Sequence, residues 1–122
     1  MLKKAVFTLY SMAMLATSLV PMDPSQADLS FMSTMSPSLQ NILHIPMLAG
    51  FFLLLSSLRP RGAFVWPAVI LALLSGAALE LIQIPVPGRY ASFADIVLNG
   101  MGVVLGMGCL AVIRRLWGES RG

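Results

Sequence analysis

Charged residues are scarce in this chain. Only 11% of its 122 residues are charged, whereas about a quarter of the residues in a soluble domain are. Hydrophobic residues make up 57% and the mean hydropathy is +0.84. A water-soluble domain of this length would have to hide too much apolar surface. The composition therefore predicts an integral membrane protein.

Cysteine and histidine are nearly absent, with one residue of each. The single cysteine, Cys109, excludes an intramolecular disulfide, and no Cys/His spacing typical of a metal site occurs. The eight basic residues stand singly or in pairs without interleaved aromatic residues, which excludes a nucleic-acid partner. The sequence predicts neither a metal nor a cofactor.

Four apolar segments follow one another along the chain, at about residues 5–20, 39–58, 63–84 and 94–117. The last three are near the ~20 residues that cross a hydrocarbon core. A segment inside the bilayer must satisfy its own backbone hydrogen bonds, which favours helices. We therefore expect an all-α membrane protein, with residues 1–122 forming one domain built as a bundle of four transmembrane helices.

The basic residues are divided unequally between the two sides of such a bundle. Only Arg89 falls on one side, and the other seven fall on the opposite side: Lys3, Lys4, Arg59, Arg61, Arg114, Arg115 and Arg121. Lys and Arg are enriched in cytoplasmic loops. The pattern predicts a multi-pass protein of the plasma (inner) membrane with both termini in the cytoplasm.

A second interpretation of the first segment stays open. Lys3 and Lys4 precede its apolar run, and Ser25-Gln26-Ala27 fits a small-residue cleavage site, as in a secretory signal peptide. The orientation of the other three helices is the same in both interpretations.

Five polar side chains interrupt or border the apolar segments: His44, Glu80, Gln83, Asp95 and Asn99. An ionisable group inside a bilayer costs ~2.5–3.5 kcal/mol on insertion scales, so its presence indicates a role in folding or function. With the topology above, the intramembrane members lie within roughly 10 Å of the outer interface, at 1.5 Å per residue. Together with the loop residue Arg89, they predict one polar cluster contributed by three helices.

Spacing places these residues and several glycines on defined helix faces. Gly76, Glu80 and Gln83 follow an i, i+4, i+7 pattern on the third segment, and Asp95, Asn99, Gly102 and Gly106 follow i, i+4, i+7, i+11 on the fourth. A G-x-x-x-G pair lets two helix backbones approach closely. We expect the third segment to pack against Gly102 and Gly106.

Structural roles explain some of these residues equally well. Asp95 has the position of the third residue in a capping box that begins at Ser92. Asn99 is suited to a hydrogen bond across a helix interface. His44 is placed to satisfy backbone groups freed by a kink at Pro46.

Glu80 is the hardest of these residues to explain by a local role, since no sequence neighbour neutralises it. Burial disfavours the charged form of a carboxyl group. We therefore expect Glu80 to pair with Arg89 or His44, or to be protonated.

The order of these residues resembles the sequence pattern of the VanZ-like family. That pattern has a helix ending E-x-x-Q, a short P-G-R loop, and a helix beginning D-x-x-x-N-x-x-G-x-x-x-G. The chain matches it at Glu80, Gln83, Pro87, Gly88, Arg89, Asp95, Asn99, Gly102 and Gly106. His44 matches a family histidine, but Gln40, Asn41 and Leu48 stand where the family commonly has Asp, Lys and Tyr.

The resemblance implies a four-span bacterial envelope protein, and the founding member of the family is associated with low-level resistance to teicoplanin. Three functions remain open. The first is a non-enzymatic protein whose outer polar cluster binds a lipid-linked or glycopeptide-type ligand, with Arg89 as the anion contact. The second is a structural subunit, packed against membrane lipid, a second copy or another membrane protein, whose cluster only specifies helix packing. The third is an intramembrane enzyme with Glu80 or His44 as general acid or base; the sequence offers no catalytic nucleophile.

Overall fold

The computed structural model describes residues 1–21, 41–60, 64–89 and 92–119, with residues 118 and 119 described by their backbone alone. These ranges contain four helices and no strand: α1 (Leu2–Leu19), α2 (His44–Ser57), α3 (Trp66–Gln83) and α4 (Phe93–Glu119). The predicted all-α class is confirmed. The possible cleavage site at residues 25–27, Gln40, Arg61 and Arg121 lie outside the described ranges.

Two of the described helices are long and apolar enough to cross a membrane. They are Trp66–Gln83, with 18 residues, and Phe93–Trp117, with 25 residues. α2 is apolar but has only 14 residues, which gives a length of about 21 Å. These two helices agree with the membrane character that the composition predicts.

The predicted start of this segment at residue 39 lies outside the described residues. Residues 41 and 42 are helical, Leu43 is a turn residue in the α-helical region of φ and ψ, and α2 proper begins at His44. The interruption comes just before Pro46, which has no backbone N–H to donate to the preceding turn. The His44 side chain contacts Asn99.

Successive helices alternate in direction. Lys3 Nζ donates a hydrogen bond to the Ser57 carbonyl (3.4 Å), which brings the start of α1 to the end of α2. Arg89, just after α3, bonds the last turn of α1. His44 at the start of α2 bonds Asn99 near the start of α4. One end of the bundle, here called the polar end, thus holds the ends of α1 and α3 and the starts of α2 and α4.

α2 forms the centre of the apolar core. Leu48 and Phe52 are completely buried, and they lie with Ala72 of α3 and Val103 of α4 in one cluster. Leu48, which stands where the family commonly has Tyr, is thus a packing residue.

The glycine pair of α4 packs against α2, so the expectation that α3 would be its partner is wrong. A Cβ on Gly102 would lie 2.5 Å from the Ile45 carbonyl oxygen, and one on Gly106 would lie 2.8 Å from the Phe52 ring and 3.1 Å from the Ala49 carbonyl oxygen. Because α2 presents backbone carbonyls to α4 at these two positions, the facing residues of α4 must lack side chains. α3 instead meets α4 at Gly76, where a Cβ would lie 3.1–3.3 Å from the Asn99 side chain.

α1 lies along α2. The rings of Phe7 and Phe51 are 5.3 Å apart between centroids and tilted by 41°. The Tyr10 hydroxyl donates to the Met47 carbonyl oxygen at 2.8 Å, and Met14 is buried. The first segment is therefore an integral part of the described bundle.

Candidate functional site

The polar end gathers buried polar side chains from three helices. Glu80, Gln83, Asp95 and Asn99 are each at most 6% exposed, and the side chain of His44 is 12% exposed. Four buried polar residues in so apolar a chain exceed what helix capping alone needs. This end of the bundle is the candidate site.

His44, Glu80 and Asn99 are in direct contact and form what we call the three-helix cluster. Asn99 Nδ2 donates to Glu80 Oε1 at 3.3 Å. His44 Nδ1 lies 3.1 Å from Asn99 Oδ1 and 3.4 Å from Glu80 Oε1. Because the amide oxygen of Asn99 is an acceptor, the Nδ1 atom of His44 donates to it, and Glu80 Oε1 lies within ion-pair distance of the same nitrogen. One amide and one imidazole therefore connect α2, α3 and α4 through the same carboxyl oxygen.

Local sequence features position Asn99. Ser92 and Asp95 form a reciprocal capping box at the start of α4. The Asp95 N–H donates to Ser92 Oγ at 3.2 Å, while the Ser92 N–H and hydroxyl donate to Asp95 Oδ2 at 3.2 and 2.7 Å. The box fixes where α4 begins, and Asn99 follows one turn later. Gly76 leaves the space on α3 that the Asn99 amide occupies.

Arg89 does not pair with Glu80. Its Nε donates to the Val20 carbonyl at 3.0 Å and its Nη2 donates to the Thr17 carbonyl at 2.7 Å. These carbonyls belong to the last turn of α1, and basic side chains commonly satisfy such groups. Glu80 therefore has His44, the other expected partner, beside it.

The loop geometry explains how Arg89 reaches α1. Gly88 has a φ of 77°, a left-handed conformation that favours glycine. The turn that follows α3 thus directs Arg89 back across the end of α1.

The Arg89 guanidinium is half-buried and close to two acidic groups. Burial lowers its pKa, and the neighbouring carboxylates of Glu80 and Asp95 act in the opposite direction. Since arginine is effectively always protonated in proteins, Arg89 is a fixed positive charge at the polar end.

Two carboxyl oxygens at the polar end are buried without a hydrogen-bond partner among the described residues: Glu80 Oε2 and Asp95 Oδ1. Most buried polar atoms in native structures are paired. These oxygens can accept a hydrogen bond from a molecule that brings donors, such as hydroxyl, amide or ammonium groups.

Gln83 is buried one turn beyond Glu80 on α3. No hydrogen bond joins its side chain to the described residues, so the structure places Gln83 at the site without giving it a partner.

The described residues contain no group of three or more His, Cys, Asp or Glu side chains arranged to hold a metal ion. Cys109 is exposed on α4, ten residues beyond Asn99. The Ser92 hydroxyl is engaged in the capping box. The arrangement is suited to hydrogen bonding with a ligand and contains no activated nucleophile within its described part.

The contacts of α1 are the part of the site that sequence reasoning missed. The acceptors of Arg89 and Tyr10 are backbone carbonyls, which no side-chain pattern reveals. The available signal was Tyr10 itself, since a tyrosine in an apolar helix usually hydrogen-bonds its hydroxyl.

Comparison with known proteins covers most of this architecture. The sequence model of the VanZ/LLP1 family matches residues 4–114, a range that includes nearly all of α1 and every residue of the three-helix cluster. No protein of curated function and no solved structure matches the chain. With so much of its length covered, the chain belongs to the VanZ/LLP1 family.

Proposed function

We propose that this protein is a multi-pass protein of the inner membrane in a bacterial cell envelope, with four membrane-spanning helices and both termini in the cytoplasm. Its polar end faces the outer leaflet. There it binds a lipid-linked or glycopeptide-type ligand without catalysing a reaction.

The charge distribution supports this orientation. The helices alternate in direction, and Arg89 lies at the polar end. Lys3 is bonded to the end of α2, which Arg59 follows, and Arg114 and Arg115 lie in the distal part of α4. Because cytoplasmic ends are enriched in Lys and Arg, the polar end faces outward.

The single observation that carries the ligand proposal is the pair of buried, unpartnered oxygens, Glu80 Oε2 and Asp95 Oδ1. A packing cluster gains stability by satisfying all its members, whereas an unsatisfied buried acceptor costs about 1–3 kcal/mol. Acceptors held in place beside the fixed cation of Arg89 suit a ligand with both donor groups and an anionic group.

A packing role is the second candidate, and one observation favours it. Glu80 Oε1, His44 and Asn99 already bond one another across three helices. In this alternative the cluster specifies how the helices associate, and the protein acts as a structural subunit of a membrane assembly.

Substitutions that keep the shape of a side chain and remove its charge distinguish the two candidates. Wild type, Glu80→Gln and Asp95→Asn are purified in mild detergent and offered phosphatidylglycerol or teicoplanin as separate probes. Bound probe is quantified by native mass spectrometry, and the thermal unfolding midpoint is measured on the same samples. Glu119→Gln is the matched control, since it makes the same chemical change at the opposite end of α4.

Ligand binding predicts that Glu80→Gln and Asp95→Asn reduce the binding of at least one probe by about tenfold, at an unfolding midpoint near that of wild type and Glu119→Gln. Unchanged binding of both probes together with a lowered midpoint would favour the packing role. If neither quantity changes, both roles of the cluster are wrong.

A further inference from the structure

A groove on the side of the bundle lies outside the polar cluster. It is lined by Phe7, Ser11 and Met14 of α1, by Ser75 and Ala78 of α3, and by Phe51 of α2. Its volume is about 270 Å³. Small-molecule sites usually have ~300–1,000 Å³, so the groove is sized for part of a larger molecule.

The surface of the groove is apolar in its chemistry although two serines line it. The Ser11 hydroxyl donates to the Phe7 carbonyl and the Ser75 hydroxyl donates to the Leu71 carbonyl, both at 2.8 Å. Each hydroxyl proton is therefore used within its own helix. An occupant finds mainly hydrocarbon, aromatic and thioether surface, which suits an acyl chain.

Arg89 lies just beyond one end of this groove. Thr17, whose carbonyl accepts from Arg89 Nη2 at 2.7 Å, follows Met14 on α1 by three residues. That spacing corresponds to about 4.5 Å along the helix axis. The two bonds to α1 use two of the five N–H donors of the guanidinium. No described residue accepts from the remaining donors, which can bind an anionic group at the end of the groove.

From this juxtaposition we propose that the α1–α3 groove holds an acyl chain of a phospholipid whose phosphate is bound by Arg89. The proposal rests on the outward orientation of the polar end in the proposed function, and it specifies that the ligand has a lipid tail. A guanidinium matches phosphate geometry, and a cation placed at the end of an apolar groove matches a molecule with an anionic head and an apolar tail.

A phospholipid is favoured over a helix of a second copy on two grounds. The groove is large enough for part of an acyl chain. It is too small for an α-helix, which with its side chains is about 10–12 Å in diameter. The positive charge of Arg89 favours an anionic partner, and an apolar helix segment provides none.

The first test fills the groove without touching Arg89. Ala78 is exposed and lines the groove, so Ala78→Phe occupies its space. Ala111→Phe is the matched control, since Ala111 is also exposed but lies on α4. Long-chain phosphatidylglycerol, its short-chain analogue and inorganic phosphate are offered as separate probes, and bound probe is measured by native mass spectrometry.

We expect Ala78→Phe to reduce retention of long-chain phosphatidylglycerol about tenfold and to leave the short-chain analogue unchanged. Arg89→Ala reduces both lipids, and Ala111→Phe reduces neither. Long-chain retention that survives Ala78→Phe overturns the groove. Binding of inorganic phosphate equal to that of the lipids shows that the tail contributes nothing, and it also overturns the proposal.

A second measurement uses the unaltered chain and does not depend on how a variant folds. A phosphatidylglycerol with a photoreactive group in its acyl chain is irradiated with wild-type protein in vesicles, and labelled residues are identified. Labels on Met14, Ser75 or Ala78 support the groove. Labels found only on the exposed residues of α4 contradict it. Glu80→Gln separates the two proposals. If wild type is labelled in the groove and Glu80→Gln binds phosphatidylglycerol normally, the groove proposal stands and the ligand role of the cluster is wrong.

Discussion

Two interfaces of this bundle differ in how closely their helices approach. Between α2 and α4, glycines at positions 102 and 106 leave so little space that an added Cβ would meet backbone or side-chain atoms of Ile45, Ala49 and Phe52. Between α1 and α3, a groove of about 270 Å³ remains open. The contrast follows from the side chains at each interface, because the tilted rings of Phe7 and Phe51 line the groove, whereas glycines of α4 face α2.

The difference assigns distinct tasks to the two interfaces. The close α2–α4 contact holds His44 and Asn99 in register, and a fixed register is what keeps a three-helix cluster bonded. α1 is attached by bonds along its length, at Lys3, Tyr10 and the carbonyls that accept from Arg89. A helix attached in this way leaves a surface to which a lipid chain can bind.

The largest expected effect comes from breaking the close interface. Gly102→Ala places a methyl group 2.5 Å from the Ile45 carbonyl oxygen and 2.9 Å from Leu48 Cβ. Because backbone must move to relieve that contact, we expect a loss of about 1–3 kcal/mol in the free energy of unfolding. This loss is measured from unfolding in denaturing detergent, with circular dichroism as the signal.

The same helix supplies the control for this change. A Cβ on Gly108 meets nothing within 4 Å, so Gly108→Ala should leave stability unchanged or raise it by about 0.5–1 kcal/mol through reduced chain entropy. Equal losses at Gly102 and Gly108 would show that the α2–α4 contact is not the stabilising one.

An intermediate effect is expected at the three-helix cluster. Asn99→Ala removes the bonds to Glu80 and His44, and it leaves these two groups only their mutual 3.4 Å contact. Hydrogen bonds between membrane helices contribute about 0.6 kcal/mol on average and at most about 1.7, so we expect a loss of about 1–2 kcal/mol in the same unfolding assay.

Ser75→Ala is the comparison variant for this prediction. Among the described residues its hydroxyl bonds the Leu71 carbonyl of its own helix, and its removal should change stability by less than about 0.5 kcal/mol. A loss at Ser75 as large as that at Asn99 would mean that the cluster does not join the helices energetically.

Much of this architecture could be predicted from sequence, because few positions in an apolar bundle can accommodate polar side chains. The helices, the capping box at Ser92 and Asp95, and the shared level of His44, Glu80 and Asn99 all follow from spacing and hydropathy. Periodicity identifies the face of a helix that carries Gly102 and Gly106 but not the helix that meets it, and this is why the predicted partner was wrong. The partners of Arg89 could not be predicted for another reason. They are backbone carbonyls, and every residue carries one.

The smallest expected effect concerns the attachment of α1. Tyr10→Phe keeps the ring and removes only the hydroxyl that donates to the Met47 carbonyl at 2.8 Å. A single neutral hydrogen bond contributes about 0.5–1.5 kcal/mol, and we expect a loss near the lower value because the rest of α1 stays bonded at Lys3 and Arg89. The free energy of unfolding and cysteine crosslinking between α1 and α2 provide two readouts.

Ser11→Ala removes a hydroxyl from the same helix whose only bond is to the Phe7 carbonyl of α1, so it should alter neither readout. If Tyr10→Phe and Ser11→Ala behave alike, the hydroxyl of Tyr10 does not hold α1 on α2. The Phe7–Phe51 contact and the bonds at Lys3 and Arg89 would then be what holds α1 in place.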